Sequence, residues 1–269
     1  MSTATELFAR RELLWNLTLR EMRGRYKRST LGWAWSMLNP LATMLIYTFV
    51  FSVVFDTKPP VGNPSGLEAY APYLLAALLP WSFFSVSVNV GMASVVTNAG
   101  LVKKVAFPRE HLVLSTVAAG LITFGIEMVV LSVVLLILGN FVLIWLPVAA
   151  VAAFLLSMFT AGIAVALAAG NVYFRDLTYL WTIVAQAWFF MTPIVYPPSI
   201  VEGRIPHWAF LIFDHLPMAV TARVFRNIMY DLRFPAALDW GLMAMYGTVT
   251  LLFGWWVFTK LEGRFAEEL

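Results

Sequence analysis

The sequence predicts an all-α, polytopic membrane protein: six transmembrane helices, an N-terminal amphipathic interface helix and external re-entrant helices. Three observations predict it. Hydrophobic residues make up 61% of the 269 and charged residues only 12%, against roughly half and a quarter in soluble domains, so most of the surface faces something other than water. Seven cations (Arg10, Arg11, Arg20, Arg23, Arg25, Lys27 and Arg28) crowd the first 28 residues, and no charge follows until after residue 55. An uncharged run of that length crosses a hydrocarbon core roughly 30 Å thick as a helix, and cations beside a first span are held on the cytoplasmic side. Five further uncharged runs then recur along the chain, and an even number of spans returns both termini to the cytoplasm.

Residues 1–30 form the interface segment. Between residues 6 and 28, Phe8, Trp15, Leu19, Met22 and Tyr26 share one helical face, and Glu12, Asn16, Arg20, Arg23 and Lys27 share the opposite one, the pattern of a helix lying in the membrane interface. Such a helix either anchors on anionic lipid alone or also clasps a cytoplasmic partner. The charge-rich start is not that of a cleavable signal. The membrane domain, 31–259, places spans at 31–55, 73–97, 112–139, 141–170, 177–196 and 237–259. This topology puts 13 of the 18 cations inside and five outside, the expected bias. The long external stretch, 197–239, holds apolar pieces too short to cross; they either re-enter and cap a cavity or form a folded external loop. Residues 260–269 are a cytoplasmic tail. With no internal repeat, a symmetric pathway requires a second copy of the chain.

The chemistry that is missing narrows the function. No glycine is followed by lysine, so a phosphate-cradling G-x-x-x-x-G-K-[ST] loop cannot exist here, and any ATP that drives the protein binds to another subunit. The chain has no cysteine, which excludes disulfides and thiolate metal sites. His111, His207 and His215 fall in loops of this topology without H-x-x-x-H spacing, so no metal site is expected. A net charge of +3 is too small to argue for a nucleic-acid partner. One ionisable residue, Glu127, sits deep in a span; a charge there costs about 2.5–3.5 kcal/mol on insertion scales, so Glu127 either lines a polar path or packs protonated or hydrogen-bonded. Met44, Tyr47, Phe51 and Phe55 follow one stripe on the first span, and Trp181 and Trp188 are a heptad apart on the fifth. Aromatic faces suit sugar rings, although lipid-facing or packing roles fit the same spacing. Gly162, Ala166 and Gly170, spaced by four, make a close helix contact.

Blocks in a fixed order then carry a resemblance. Leu13-Leu14-Trp15 through Arg25-Tyr26 is followed by Leu31-Gly32-Trp33-Ala34-Trp35-Ser36, Asn39-Pro40 and Tyr47-Thr48-Phe49-Val50-Phe51. Lys103-Lys104-Val105-Ala106-Phe107-Pro108 follows the second span, Val172-Tyr173-Phe174-Arg175-Asp176-Leu177 the fourth, and Thr192-Pro193-Ile194-Val195-Tyr196-Pro197 closes the fifth. Together they resemble the signature of ABC type-2 permeases that export polysaccharides, over nearly the whole chain.

The resemblance implies a homodimer of six-span subunits in the bacterial cytoplasmic membrane, joined to two ABC ATP-binding subunits that hold ATP and magnesium. It implies export of a lipid-linked polysaccharide such as O-antigen, teichoic acid or a galactan. It places contact with the ATPase on the interface helix (Trp15, Arg20, Arg23, Arg25 and Tyr26) and a coupling helix at about 98–110, with Lys103, Lys104, Val105, Phe107, Pro108 and Arg109. Tyr47, Phe51, Phe55, Trp181, Trp188 and Glu127 become channel-lining candidates, and Tyr196, Pro197 and Arg226 external-gate candidates. Leu216-Pro217 departs from the Asn-Pro that the family commonly carries there. The alternatives are a drug or small-lipid exporter on the same scaffold and a membrane-embedded glycosyl- or acyltransferase.

Overall fold

The computed structural model describes residues 11–25, 32, 34–54, 59–105 and 107–269. Among them every regular element is helical, as expected where lipid offers the backbone no hydrogen bonds. The principal helices are α1 (Arg11–Arg25), α2 (Ala34–Thr48, continued by a π-helical stretch Phe49–Val54), α3 (Tyr70–Thr97), α4 (Ala99–Lys104), α5 (Glu110–Ile137) and α6 (Leu146–Tyr173). They are followed by α7 (Leu177–Met191), α8 (His207–Asp214), α9 (Pro217–Arg226, continued by a π-helical stretch Asn227–Asp231), α10 (Ala237–Leu261) and α11 (Phe265–Glu268).

Four segments, Tyr70–Thr97, Glu110–Ile137, Leu143–Tyr173 and Ala237–Arg264, are long and apolar enough to cross a membrane, and the protein is a multi-pass membrane protein. They coincide with the second, third, fourth and sixth expected spans. The fifth, at 177–196, contains the 15-residue α7, which rises only about 22 Å; Thr192 leaves the helical region and Pro193 follows, so the chain turns out of the helix before the stretch is complete. At the first span, α2 gives way to π-helical turns at Phe49. In the stretch expected to be external, α8 and the α9 segment meet at a 68° bend. Pro217 opens α9, where a missing N–H costs nothing; Leu216 ahead of it supplies no side-chain cap.

The bundle is built around α3, which packs on α5, α6 and α9 and buries most of its length, including Leu74, Phe84, Val88 and Met92. The most extensive pairing is between α6 and α10. Their backbones touch: a Cβ at Gly162 would strike the Thr250 carbonyl, and one at Gly254 would strike Gly162 itself. Gly162 is thus the close-contact residue that its spacing suggests, with dispersion between backbones in place of side-chain packing. Gly162→Ala is expected to push the two helices apart at a cost of about 1–3 kcal/mol, read as a lower melting temperature of the purified protein in detergent.

Candidate functional site

The expected site residues fall into two groups at opposite ends of the bundle. At the end of the bundle that carries α1, α3 stops at Asn98, whose backbone N–H and Nδ2 both donate to the Ser94 carbonyl at 3.1 and 2.8 Å. The side chain thereby satisfies a carbonyl that the ending helix orphans. The chain resumes as α4, pinned by buried Val102, with Lys103, Lys104 and Val105 exposed; two lysines in the last turn complement the negative end of this helix. Phe107 packs against the core, and Arg109 gives its Nη1 proton to the Glu262 carbonyl.

The interface helix lies against this segment. α1 packs on α5, and Arg20 Nη2 donates to Asn98 Oδ1 at 3.1 Å. Its packed face centres on Leu17, Thr18 and Met22, whereas Trp15 is 56% exposed beside Arg11, Glu12 and Asn16. Of the residues on the expected apolar face, Met22 packs against the protein and Trp15 faces outward. Arg23 is exposed. Tyr26, Phe8, Phe55 and Ala106 lie outside the described residues, as does the Arg25 side chain. His111, expected in a loop, is instead buried in the first turn of α5 beside Glu110, whose carboxylate is also buried.

At the opposite end the aromatic stripe becomes a ladder of rings. Tyr47 stacks on Phe51 (centroids 5.9 Å apart), Phe51 on Tyr70 (4.9 Å), Tyr70 contacts Tyr73 (6.4 Å), and Tyr73 meets Tyr230 edge-on (5.4 Å). Trp181 and Trp188 turn into the protomer, edge-to-face with each other and with Phe84. Glu127 is half-buried midway along α5.

Arg226 is the organising residue of this end. It is 7% exposed, and its Nε, Nη1 and Nη2 donate to the carbonyls of Tyr73, Pro193 and Ile194 at 3.3, 2.6 and 2.5 Å. Its guanidinium carbon lies 3.9 Å from the Tyr73 ring centroid, a cation–π contact in a dry setting. Pro193 and Ile194 follow the C-terminus of α7, where carbonyls are left over and the helix dipole is negative. A guanidinium with forked donors answers both needs. The neighbouring Val195 carbonyl accepts from the Tyr70 hydroxyl at 2.6 Å, and Tyr196 donates to the Phe190 carbonyl at 2.6 Å. Tyr70→Phe is expected to cost about 1 kcal/mol, seen as faster proteolysis of the 192–206 segment.

One residue of this end was missed. Arg223 makes a two-atom fork on Asp239 (2.7 Å from Nη2 to Oδ1, 3.2 Å from Nε) and a 2.7 Å ion pair with Asp214, tying α8 and α9 to the start of α10. Arg223, Arg226, Arg233, Asp214, Asp231, Tyr73 and Pro197 all border an open recess of about 340 Å³. The first two arginines are already engaged by protein groups, so the recess is a braced surface rather than a bare cationic pocket. No sequence pattern links an arginine to carboxylates 9 and 16 positions away on other helices.

Comparison with known proteins adds the remaining observation. A family model described as ABC-2 type transporter matches residues 12–230. The O-antigen export system permease protein RfbA of Myxococcus xanthus is 30% identical over 264 residues, 98% of each chain. The protein of the same name from Klebsiella pneumoniae is 29% identical over 96% of this chain and 95% of its own. The polysialic acid transport protein KpsM of Escherichia coli is 23% identical over 88% of this chain and 89% of its own.

Proposed function

Given that the chain belongs to the ABC-2 type transporter family, we propose that it is the six-span permease subunit of an ATP-driven exporter that carries a polyprenyl-diphosphate-linked polysaccharide out of the cytoplasm. The observation that carries this reading is end-to-end similarity to permeases named for O-antigen export; a relative named for polysialic acid transport extends it to glycans more broadly. It is a transport subunit, not an enzyme. The transferase alternative has no support from such relatives, and the drug-exporter alternative is disfavoured by the same names.

In this reading two copies pair with two ATP-binding subunits on the cytoplasmic face. The permease offers them α4, with Lys103, Lys104 and Val105 outward, and the α1 surface around Trp15, Arg20 and Arg23. Because α4 continues directly from α3 across Asn98, a force applied to it acts on the central helix of the bundle. α2 and α7 complete the six spans, and the α8–α9 bend is the external re-entrant element braced by Arg223 and Arg226. Both termini are cytoplasmic and the membrane is the bacterial inner membrane.

The test is purification of the tagged chain from its own cells, followed by depletion. An ATP-binding subunit is expected to co-purify, and lipid-linked glycan to accumulate inside when the chain is depleted. A chain that purifies without any ATP-binding protein, and whose loss leaves surface glycan intact, would overturn the assignment.

A further inference from the structure

The last eight residues, beyond the matched family region, are anchored by one buried side chain. After α10 a 3₁₀ turn, Glu262–Arg264, leads to α11, whose first residue Phe265 is wholly buried. The ring meets Phe258 of α10 edge-on at 5.3 Å and Tyr173 of α6 at 6.2 Å, and the Arg109 guanidinium carbon lies 5.9 Å from its centroid. Around it, the Tyr173 hydroxyl donates to the Leu261 carbonyl at 2.9 Å, Arg109 donates to the Glu262 carbonyl, and α11 packs on α4.

We infer that the tail is a tie, with Phe265 as its pin, that joins the loop after α3, the end of α6 and the end of α10 into one cytoplasmic block. Arg109 belongs to the segment assigned above to coupling, and Tyr173 is the last residue of α6. Both meet the Phe265 ring, and each donates a hydrogen bond beside it, Arg109 to the Glu262 carbonyl and Tyr173 to the Leu261 carbonyl. A load taken up at Lys103, Lys104 and Val105 is therefore shared with α6 and α10 through Phe265 and the Glu262 carbonyl. Phe265 acts here as a positioning residue. This inference rests on the coupling role proposed above.

The test compares the complete exporter carrying Phe265→Ala, Phe265→Leu or a stop after Leu261. Membrane insertion, co-purification of the ATP-binding subunit, ATP hydrolysis and glycan export are measured for each. Phe265→Ala and the truncation are expected to insert, bind the partner and hydrolyse ATP within about twofold of the parent, yet export roughly tenfold less per ATP, a loss within the usual range of coupling between sites. Phe265→Leu, which refills most of the volume, is expected to recover most of the export. Unchanged export per ATP in Phe265→Ala and the truncation would overturn the tie, and so would failure of both Phe265→Ala and Phe265→Leu to insert, which would make Phe265 a folding residue only. A parallel deletion of residues 103–108 separates the two claims. If that deletion leaves export intact, the coupling reading itself fails, whatever Phe265 does.

Discussion

A chain lacking residues 103–108 is expected to insert in the membrane and to export less than roughly a tenth of the glycan that the intact chain exports, with ATP hydrolysis persisting in the partner. The deletion removes the two exposed lysines that end α4 and Val105 behind them, the surface the proposed partner would press on. It spares Asn98, which closes α3 through Ser94, and Arg20, which holds Asn98 from α1. The bundle therefore keeps the closure of α3 and loses the surface proposed to meet the partner, together with the Phe107 ring packed on the core. Coupling free energies between sites typically amount to about 1–3 kcal/mol, enough to lower output by an order of magnitude or more without unfolding anything. Surface glycan and ATP turnover, measured in the same cells, check it; a normal glycan level would remove this segment from the mechanism.

Arg226→Ala is expected to be the most damaging single substitution at the end of the bundle opposite α1. The guanidinium supplies donors to three carbonyls from two separate parts of the chain, and truncation leaves them buried without partners, at about 1–3 kcal/mol for each group that water cannot reach. Some of this is offset because the charge no longer has to be desolvated, so a net loss of about 3–5 kcal/mol is expected, the usual result of breaking one side of a buried charged contact. Arg226→Lys should recover part of it, since an ammonium keeps the charge but cannot fork toward Pro193 and Ile194 while stacking on Tyr73. The loss should appear as a lower melting temperature and as cleavage after α7, in the 192–206 segment. Wild-type stability in Arg226→Ala would mean that Arg226 is held for a ligand rather than for the fold.

The features legible in the sequence are those that repeat or stand beside one another. The charge gap after Arg28, the alternation of uncharged runs with cationic loops and the six-residue block at Lys103 are local, and helical membrane segments declare themselves through length and apolarity. The contacts that arrange the two ends are not local. Arg226 meets carbonyls 153, 33 and 32 positions away, and a backbone acceptor has no residue identity to read. The aromatic stripe on α2 was visible, but whether Tyr47 and Phe51 face a path or another helix depends on α3, and the structure stacks Phe51 on Tyr70. Trp181 and Trp188 were recognisable as one face of α7 while their inward direction was not. Tail packing had one faint signal, a lone phenylalanine among charged residues at the end of the chain, which is more often a buried pin than a solvent-facing ring.

The glycine crossing of α6 and α10 also dictates where this protein cannot open. Two helices whose main chains touch at Gly162 and Gly254 leave no width between them for a sugar ring, a lipid tail or a water file, and parting them would first forfeit every contact along the most extensive pairing in the molecule. That side of the bundle is a welded seam. Passage for anything large must be made on another flank, by helices with less to lose on moving, and among the six expected spans α2 and α7 are the shortest helices.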